Sequence, residues 1–519
     1  MCQISTSTGT VEKTLYSLFR RSAAQKGANI FFSDENENCS GNESLELVAR
    51  LAGSLQALGV KKGDRVVFIC GSSVRHILLY FACQHIAAIP CALHLRNTGA
   101  AISSTLNWLN ASLLVIDGYY RQLALDGLGR AGLSVPLVML DEDKLDAGES
   151  GYRDLLGQSG TGIKAVAQDA DAAAMIILSS GTTGEPKGIV HSQRTLYESA
   201  MAGARVFGAI SEEDSVLVFM SPSFAAWNHV VLSYLACSAR IVFNHVFNTD
   251  LFLQTLARER ITSTAMVPTA WRRVLQGINR DTDLSALKLA FFSGEPGSPE
   301  FIEMMQQRLP QCEIRTAYLT SEGSVASACV ADEKVLAKNI ASVGKPIAGA
   351  EVRVVNVDGD IDEAVDQGET GEILQRGKSL ALAYWGNEAL SEQKFIRGWW
   401  RTGDLGRLDE YGYLTIVGRA DNMIISGGLK VHAEEVELAL MQHPAVALAA
   451  VVGKADPEWG QRIEAYVVVN AEVSAEDILQ YCRDQQLLCA FKLPKRINFR
   501  DSLPTGATGK IYRRGLLEE

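Results

Sequence analysis

The pattern of apolar and polar residues changes once along the chain, near Val343. Before this point, short apolar runs alternate with stretches of helical periodicity, which predicts βα units and largely parallel sheets. These runs occupy residues 66–69, 113–116, 137–140, 175–178 and 289–292. After it, alternating segments at 351–355 and 371–374 predict antiparallel strands of a small barrel-like part. The predicted fold class is therefore α/β.

The last part of the chain has a sequence pattern that differs from the rest. From Asp421 onward the pattern predicts a compact α+β unit of about a hundred residues. We therefore expect an N-terminal domain of layered βα sheets plus the barrel-like part at 1–420, and a small C-terminal domain at 421–519. By its length alone, a chain of 519 residues predicts roughly three or four compact units.

Composition and charge exclude several classes of protein. The 49 basic and 60 acidic residues give a net charge of −11, whereas a nucleic-acid binder needs a basic face. Ten scattered cysteines without a CxxC pair indicate a reduced, cytoplasmic protein and no clustered zinc ligands. The N-terminus is polar, and charged or polar residues interrupt the apolar stretch 66–95. No signal peptide and no membrane span are predicted.

A loop rich in glycine and hydroxyl groups follows the apolar run at 175–178. It carries Ser179, Ser180, Gly181, Thr182, Thr183, Gly184 and, after Pro186, Lys187. Glycines let backbone N–H groups approach phosphate oxygens, hydroxyls donate further hydrogen bonds, and the lysine adds a mobile positive charge. The order differs from the Walker A motif, which needs Gly-Lys-Ser/Thr at its end. We predict a polyphosphate-binding loop; an ordinary surface turn is the alternative.

This loop resembles the phosphate loop of the adenylate-forming superfamily, which includes acyl-CoA synthetases, peptide-synthetase adenylation domains and beetle luciferases. The resemblance extends over nearly the whole chain, because further motifs follow in the family's order. It implies a large N-terminal domain, a small mobile C-terminal domain, and the use of ATP and Mg²⁺. It also implies that Thr182 and Lys187 act in catalysis at the phosphates.

Residues 318–322 resemble the family's Tyr-Gly-x-Thr-Glu motif. The resemblance implies that Tyr318 lies against adenine, Ser321 reaches the α-phosphate, and Glu322 holds Mg²⁺. Taken alone, Glu322 would be a solvated loop carboxylate. The turn containing Gly294 and Glu295 is implied to line the adenine and acyl sites, although by itself Gly-Glu-Pro only indicates a turn.

Motifs in the last 120 residues carry the remaining implied roles. Asp404 in Arg-Thr-Gly-Asp-Leu is expected to accept the ribose hydroxyls, with Arg419 near ribose or phosphate. Asp421 stands at the family's hinge, and Lys510 in the closing Gly-Lys segment is the implied catalytic cation. Gly427 and Gly428 are expected to line a tunnel for the pantetheine arm of CoA. The alternative for this pair is a plain hairpin turn.

The acid substrate is expected to be small. The family's acyl-pocket segment resembles residues 221–227 here, where Ala225 replaces the aspartate that amino-acid-activating members use to pair an ammonium group. We expect the pocket to be bordered by Phe224, Trp227, His229, Ala317 and Leu319, with ordinary packing as the alternative for Trp227 and His229. Leu319 replaces the motif glycine and shortens the pocket, which predicts a short- to medium-chain or compact aromatic acid.

The resemblance implies a two-step reaction. ATP and the acid would give an acyl-adenylate and pyrophosphate, and a thiol, expected to be CoA, would then displace AMP. Transfer to a free-standing carrier protein is the alternative. A catalytically silent nucleotide-binding protein is a further alternative, but the joint presence of Lys187, Glu322, Asp404 and Lys510 argues against it. A luciferase-like oxidase has the same motifs, so the motifs alone do not separate it from a ligase. The sequence leaves a homodimer open.

Overall fold

The computed structural model describes residues 12–141, 145–146, 148–158, 163–180, 186–280, 282–295, 297–505 and 511–518. The chain divides into two compact units. Unit 1 contains residues up to Glu351 together with Gln375–Trp400, and unit 2 contains Val352–Leu374 and Arg401–Glu519. A mobile domain that begins at Asp421 stays a prediction.

The helices and strands follow one another in chain order. The first third contains α1 (Leu15–Lys26), β1 (Ile30–Ser33), β2 (Asn38–Ser40), α2 (Gly41–Ala57), β3 (Arg65–Ile69), α3 (Val74–His85), β4 (Ile89–Ala92), α4 (Gly99–Leu109), β5 (Ala111–Ile116), α5 (Arg121–Ala131), β6 (Leu137–Met139), β7 (Glu149–Gly151) and α6 (Tyr152–Gln158). The middle contains β8 (Ala173–Ser180), β9 (Pro186–Ser192), α7 (Gln193–Val206), β10 (Ser215–Val218), α8 (Ala225–Ala236), β11 (Arg240–Phe243), α9 (Thr249–Arg258), β12 (Ser263–Met266), α10 (Pro268–Gly277), β13 (Leu289–Phe292), α11 (Pro299–Arg308), β14 (Glu313–Tyr318), β15 (Cys329–Asp332), α12 (Glu333–Lys338) and β16 (Ser342–Pro346). The last part contains β17 (Glu351–Val355), β18 (Gly371–Arg376), β19 (Ala383–Tyr384), α13 (Glu388–Lys394), β20 (Phe395–Ile396), β21 (Trp399–Leu408), β22 (Leu414–Arg419), β23 (Met423–Ser426), β24 (Leu429–His432), α14 (Ala433–Leu440), β25 (Val446–Asp456), β26 (Gly460–Val469), α15 (Ala475–Asp484), β27 (Arg496–Phe499) and α16 (Arg513–Glu518). Single 3₁₀ turns lie at Gly118–Tyr120, Val325–Ser327, Ala420–Asn422 and Ala490–Lys492.

Two sheets form the frame of unit 1. In the first, the strands lie in the order β16-β15-β14-β13-β12-β10-β11-β1-β2, and the pairs from β14 to β1 are parallel. In the second, the order is β19-β9-β8-β4-β3-β5-β6-β7, and the pairs from β8 to β7 are parallel. The predicted α/β class with largely parallel sheets is confirmed. The predicted apolar runs coincide with β3, β5, β6, β8 and β13, except that β6 ends one residue early, at Met139.

The parallel strands are buried on both faces, which explains their continuous apolar runs. All four residues of β13 and four of the five in β3 are buried. Helices begin where the sequence supplies a side-chain cap: Ser40 and Ser192 both form capping boxes, for α2 and α7. The cap at Ser192 matters for the site, because it ends β9 directly after His191.

Unit 2 is built from two groups of strands. One group has the order β17-β18-β21-β22, with β21 and β22 antiparallel. The other has the order β24-β23-β26-β25, with β27 parallel to β26. Helix α14 packs on this second sheet, and the core between them contains Val431, Val436, Leu440, Val451 and Ile463.

The cysteines that the structure describes are free thiols, and most are inside the core. Seven of them are buried, Cys237 is half-buried, and Cys489 is exposed. Burial raises the pKa of Cys39 and Cys312 to about 12, so these thiols stay protonated at neutral pH. Among the described residues, no helix is long and apolar enough to cross a membrane.

Candidate active site

The predicted phosphate loop connects two antiparallel strands of unit 1. Strand β8 leads into the loop and β9 leads out of it, with Ser179 in register with Lys187. Residues 181–185 lie outside the described residues, so the predicted contacts of Gly181, Thr182, Thr183 and Gly184 stay predictions. The same holds for Lys510 and for the side chain of Ser180.

Lys187 and Glu322 both contact Tyr384. The Tyr384 hydroxyl donates a hydrogen bond of 2.9 Å to Oε1 of Glu322 and accepts one of 3.1 Å from Nε1 of Trp400. The Lys187 ammonium lies 5.8 Å from the centre of the Tyr384 ring, within cation–π range. Tyr384 and Trp400 are buried, so this chain of bonds orients Glu322 in a water-poor setting.

Strand pairing brings these residues together. Strand β19 pairs with β9 so that Tyr384 faces Ile189, two residues after Lys187. Gly188 makes this approach possible, because a Cβ there would lie 2.8 Å from Trp108 and 2.9 Å from Trp385. The sequence did not predict a role for Tyr384 or Trp400. Two tryptophans precede the Arg-Thr-Gly-Asp motif at 399–400, but nothing in their spacing indicates a contact near Glu322.

A buried histidine fixes the backbone beside Glu322. Nε2 of His191 lies 2.9 Å from the carbonyl oxygen of Ser321, and its Nδ1 lies 3.3 Å from the Thr195 hydroxyl. A carbonyl can only accept, so the hydrogen is on Nε2, and Nδ1 is left as an acceptor beside the Thr195 hydroxyl. Burial lowers the pKa of His191 to about 4, which keeps the ring neutral in this role. This residue was also missed.

The nucleotide motif sits at the end of β14. Tyr318 is the last residue of the strand and is half-buried, and Ala317 before it is buried. The Ser293 hydroxyl donates to the Ala317 carbonyl at 2.9 Å, which ties the Gly294–Glu295 turn to this strand end. Gly294 has a φ of +88°, a conformation that favours glycine.

The carboxylate of Glu295 is engaged locally. It accepts hydrogen bonds from the Thr269 N–H at 3.3 Å and the Thr269 hydroxyl at 3.2 Å. Thr269 is the second residue of α10, so Glu295 acts on the N-terminus of that helix. Contact of this turn with a nucleotide stays a prediction.

The predicted acyl segment leads into the start of α8, and aromatic side chains from other parts of unit 1 pack against it. Phe224 is the N-cap residue, and its ring lies 5.2 Å from that of His94. Trp227 is buried, with its ring 5.1 Å from His76 and 5.8 Å from Tyr80. These three residues line a cavity of about 10 Å³, close to the space that one water molecule needs.

Of the five predicted pocket residues, only Trp227 lines this cavity; Phe224, His229, Ala317 and Leu319 lie outside its lining. His229 is buried, and burial lowers its pKa to about 3. Leu319 is half-buried and packs against the core cluster that contains Trp227 and Ala317. A place for His229, Ala317 and Leu319 in the acyl pocket stays a prediction.

The predicted ribose residues meet in unit 2. Asp404 on β21 pairs with Arg419 on β22, and Nη1 of Arg419 donates to Oδ1 of Asp404 at 2.7 Å. The Thr402 hydroxyl receives the Asp404 backbone N–H at 2.9 Å. Nη2 of Arg419 also lies 3.6 Å from Oδ2 of Asp421, so the predicted hinge residue contacts the same cation.

The glycine pair forms the turn of the β23–β24 hairpin. Gly427 and Gly428 have φ angles of +58° and +80°, as a two-residue type I′ turn requires. The Gly427 N–H donates to the Trp459 carbonyl at 2.8 Å, and a Cβ on Gly427 would lie 2.8 Å from the Trp459 ring. The loop is thus a hairpin turn, and its use as a tunnel for a pantetheine arm stays a prediction.

Glu322 suits Mg²⁺ by its donor type. Mg²⁺ takes hard oxygen ligands and commonly uses one or two carboxylates together with substrate phosphates. The described residues contain no group of three or more His, Cys, Asp or Glu able to hold a metal. Coordination of Mg²⁺ by Glu322 stays a prediction.

Comparison with known proteins identifies the family of the chain. Residues 19–385 match the model of the AMP-binding enzyme family, and residues 435–510 match the AMP-binding enzyme C-terminal domain. An indoleacetate–CoA ligase from Aromatoleum aromaticum is 31% identical over 90% of both chains. A 2-succinylbenzoate–CoA ligase from Bacillus cereus is 26% identical over 93% of this chain and 94% of that one.

A solved structure shares the fold. The O-succinylbenzoate coenzyme A synthetase from Bacillus subtilis, in complex with ATP and a magnesium ion, has a TM-score of 0.85 and 23% identity, covering 97% of this chain and 99% of that one. The chain belongs to the AMP-binding enzyme family and is an AMP-forming acid–CoA ligase.

Proposed function

We propose that this ligase activates a compact carboxylic acid, with a ring or a short chain, and transfers it to CoA. The observation that carries the proposal is the closed aromatic cluster at the acyl segment. Trp227 is buried against His76 and Tyr80, and the cavity beside these rings has a volume of about 10 Å³. A long acyl chain needs a tunnel, whereas a compact acid can end against this cluster.

The first step joins the acid to the nucleotide. A carboxylate oxygen attacks the α-phosphorus of ATP, the bond to the β-phosphate oxygen breaks, and pyrophosphate leaves. Mg²⁺, when bound, neutralises phosphate charge. We assign Glu322 to the ion, Lys187 and Lys510 to the developing charge, and Tyr318, Ser321 and the hydroxyls of the 179–183 loop to positioning. No proton has to move in this step.

Asp404 and Arg419 are assigned to the ribose. Two hydroxyls of a ribose can donate to one carboxylate, and Asp404 is already held by Arg419 and by its own backbone bond to Thr402. A preorganised carboxylate loses little freedom when the nucleotide arrives. The pair therefore serves binding in both steps.

The second step releases AMP. A thiolate attacks the acyl carbon, and the bond to the AMP phosphate oxygen breaks. The acceptor is CoA, in agreement with the similar proteins named above, which are CoA ligases; transfer to a free-standing carrier protein is not favoured. We propose that residues 421–519 turn about Asp421 between the steps, exchanging Lys510 for the Gly427–Gly428 hairpin.

Two further assignments complete the proposal. Free, buried cysteines fit a reducing, cytoplasmic setting. A homodimer stays open, and light scattering of the purified chain decides it.

The test is a pyrophosphate-release screen over carboxylic acids of two to sixteen carbons, each measured with and without CoA. Compact acids are expected to release pyrophosphate, and CoA is expected to raise the turnover by freeing the enzyme from its adenylate. A preference for long fatty acids would refute the compact pocket. Turnover that responds to a pantetheinylated carrier protein and not to CoA would refute the acceptor.

A further inference from the structure

Three side chains that line the cavity at the acyl segment have a polar atom without a hydrogen-bond partner. These atoms are Nδ1 of His76, Nε1 of Trp227 and Oδ1 of Asn228. The three residues are 1%, 1% and 4% exposed. A buried polar atom without a partner costs about 1–3 kcal/mol, and three such atoms around one cavity are unusual.

The three atoms offer complementary hydrogen-bonding roles. The Trp227 indole N–H can only donate, and the Asn228 amide oxygen can only accept. Burial lowers the pKa of His76 to about 3, so its ring is neutral and Nδ1 can serve as acceptor or donor. The Tyr80 hydroxyl donates to Met175 Sδ at 3.5 Å, a weak acceptor that it could exchange for a better one. A hydroxyl group both accepts and donates, and matches this set.

The cavity has no charged lining. Its lining residues are Phe68, His76, Tyr80, Pro90, Cys91, Ala92, Met175, Ile176, Ile177, Pro222, Ser223, Trp227 and Asn228. None of these described residues is Asp, Glu, Lys or Arg. A second carboxylate or an ammonium group would therefore be buried without a counter-charge, at a cost of several kcal/mol. The cavity selects for a neutral polar group.

Size and position agree with this choice. A volume of about 10 Å³ is close to what one water-sized group needs, and a hydroxyl has that size. Ile177 lines the cavity from β8, and the predicted phosphate loop begins two residues later, at Ser179, about 7 Å along the strand. That span is of the order of a compact acid between its carboxylate and its far end.

We infer that the acid carries one small uncharged polar substituent, a hydroxyl, at the end remote from its carboxylate, and that this hydroxyl occupies the cavity formed by His76, Trp227 and Asn228. The inference rests on the proposed function, because it takes the acyl segment as the place where the acid binds. In this arrangement Trp227 Nε1 donates to the hydroxyl oxygen, and the hydroxyl donates to Asn228 Oδ1. The other two neighbours, His76 and Tyr80, complete the shell.

The experiment compares acids that differ in one group. Pyrophosphate release is measured for benzoic, phenylacetic and hexanoic acids with a hydroxyl, a methyl or a hydrogen at the far position. The hydroxyl acid is expected to exceed its methyl counterpart, which has nearly the same size, by at least about tenfold in kcat/KM. Equal or better use of the methyl acid would overturn the inference while leaving the compact-acid proposal intact. A screen in which only long fatty acids react would overturn both.

Two tryptophan variants separate recognition from stability. In Trp227→Phe the ratio of hydroxyl to methyl acid is expected to fall about tenfold. The smaller ring costs packing energy, but Nε1 of Trp227 has no protein partner to lose, so the loss of thermal stability is expected to be smaller than in Trp271→Phe. Trp271→Phe is the matched control: Trp271 is equally buried, but its Nε1 donates to the Phe291 carbonyl at 2.8 Å. Trp271→Phe is expected to lower the thermal stability and to leave the ratio of hydroxyl to methyl acid unchanged.

A third variant keeps the test open if Trp227→Phe fails to fold. Asn228→Leu removes the acceptor at similar size, and the ratio is again expected to fall about tenfold. An unchanged ratio in a folded Trp227→Phe or Asn228→Leu enzyme would refute the assignment. An equal fall of the ratio in Trp271→Phe would refute it as well.

Discussion

Removal of one hydroxyl group, in Tyr384→Phe, tests whether the bond to Glu322 serves the metal. The lost bond is 2.9 Å long and is made to a carboxylate, and its donor is buried. Bonds of this kind contribute about 1.5–3 kcal/mol, which corresponds to a factor of about 10 to 100. If Glu322 binds Mg²⁺, the less well oriented carboxylate should need about tenfold more Mg²⁺ for half-maximal pyrophosphate release.

Tyr384→Phe also has an effect on stability, which must be separated from its effect on the Mg²⁺ response. Nε1 of Trp400 donates to the Tyr384 hydroxyl at 3.1 Å and would lose this acceptor, at a cost of about 1–3 kcal/mol. Trp400→Phe is the matched control, because it breaks that bond and leaves the Tyr384–Glu322 bond in place. Both variants should lower the melting temperature, and only Tyr384→Phe should change the Mg²⁺ response. A wild-type Mg²⁺ titration in Tyr384→Phe, at saturating ATP and acid, would refute the reasoning.

Four other predictions concern the two steps, the pocket and pH. Lys510→Ala should lower adenylate formation by roughly 10²- to 10³-fold and spare thioester formation from a supplied acyl-adenylate, and equal damage to both half-reactions would exclude the assignment. Asp421→Pro should do the reverse, because proline fixes φ at the hinge; if both single-turnover rates stay at wild-type values, the pivot lies elsewhere. Leu319→Gly should shift the preferred acid to a longer one, and an unchanged chain-length profile would contradict a role for Leu319 in the pocket. Burial lowers the pKa of His191 from 6.5 to about 4, so the unfolded state binds the proton more tightly, and the free energy of unfolding should fall as the pH drops from about 6.5 to about 4. Denaturant titration of His191→Asn should show that its free energy of unfolding depends less on pH over this range. The same pH dependence in the variant and the wild type would argue against the shift.

Most of the fold of unit 1 could be predicted because its strands are buried on both faces. Such strands appear as unbroken apolar runs, and the runs at 66–69, 113–116 and 289–292 all became parallel strands. The antiparallel return of β9 was not visible, because Pro186, Lys187 and Gly188 give it a polar start. These three residues interrupt the apolar pattern where the strand begins.

The parts of the site that escaped prediction depend on contacts distant in sequence. Tyr384 reaches Glu322 across 62 residues, and His191 reaches Ser321 across 130. Local spacing contains no record of such pairs, since they arise only after β19 pairs with β9 and β14 reaches its end. Motifs identified Glu322 and Asp404 as candidates, but the side chains that orient them needed the structure.

The distribution of the thiols offers a practical route to watching the enzyme at work. Among the described cysteines, Cys489 is the exposed one, and it lies in unit 2 near the 3₁₀ turn Ala490–Lys492. Burial raises the pKa of Cys70, Cys83 and Cys91 and keeps them from a thiol-reactive dye. A maleimide fluorophore should therefore attach to Cys489 in preference to the core thiols, without engineering of the core. Paired with a second dye introduced on unit 1, it would turn the proposed exchange between the two half-reactions into a distance signal in single molecules.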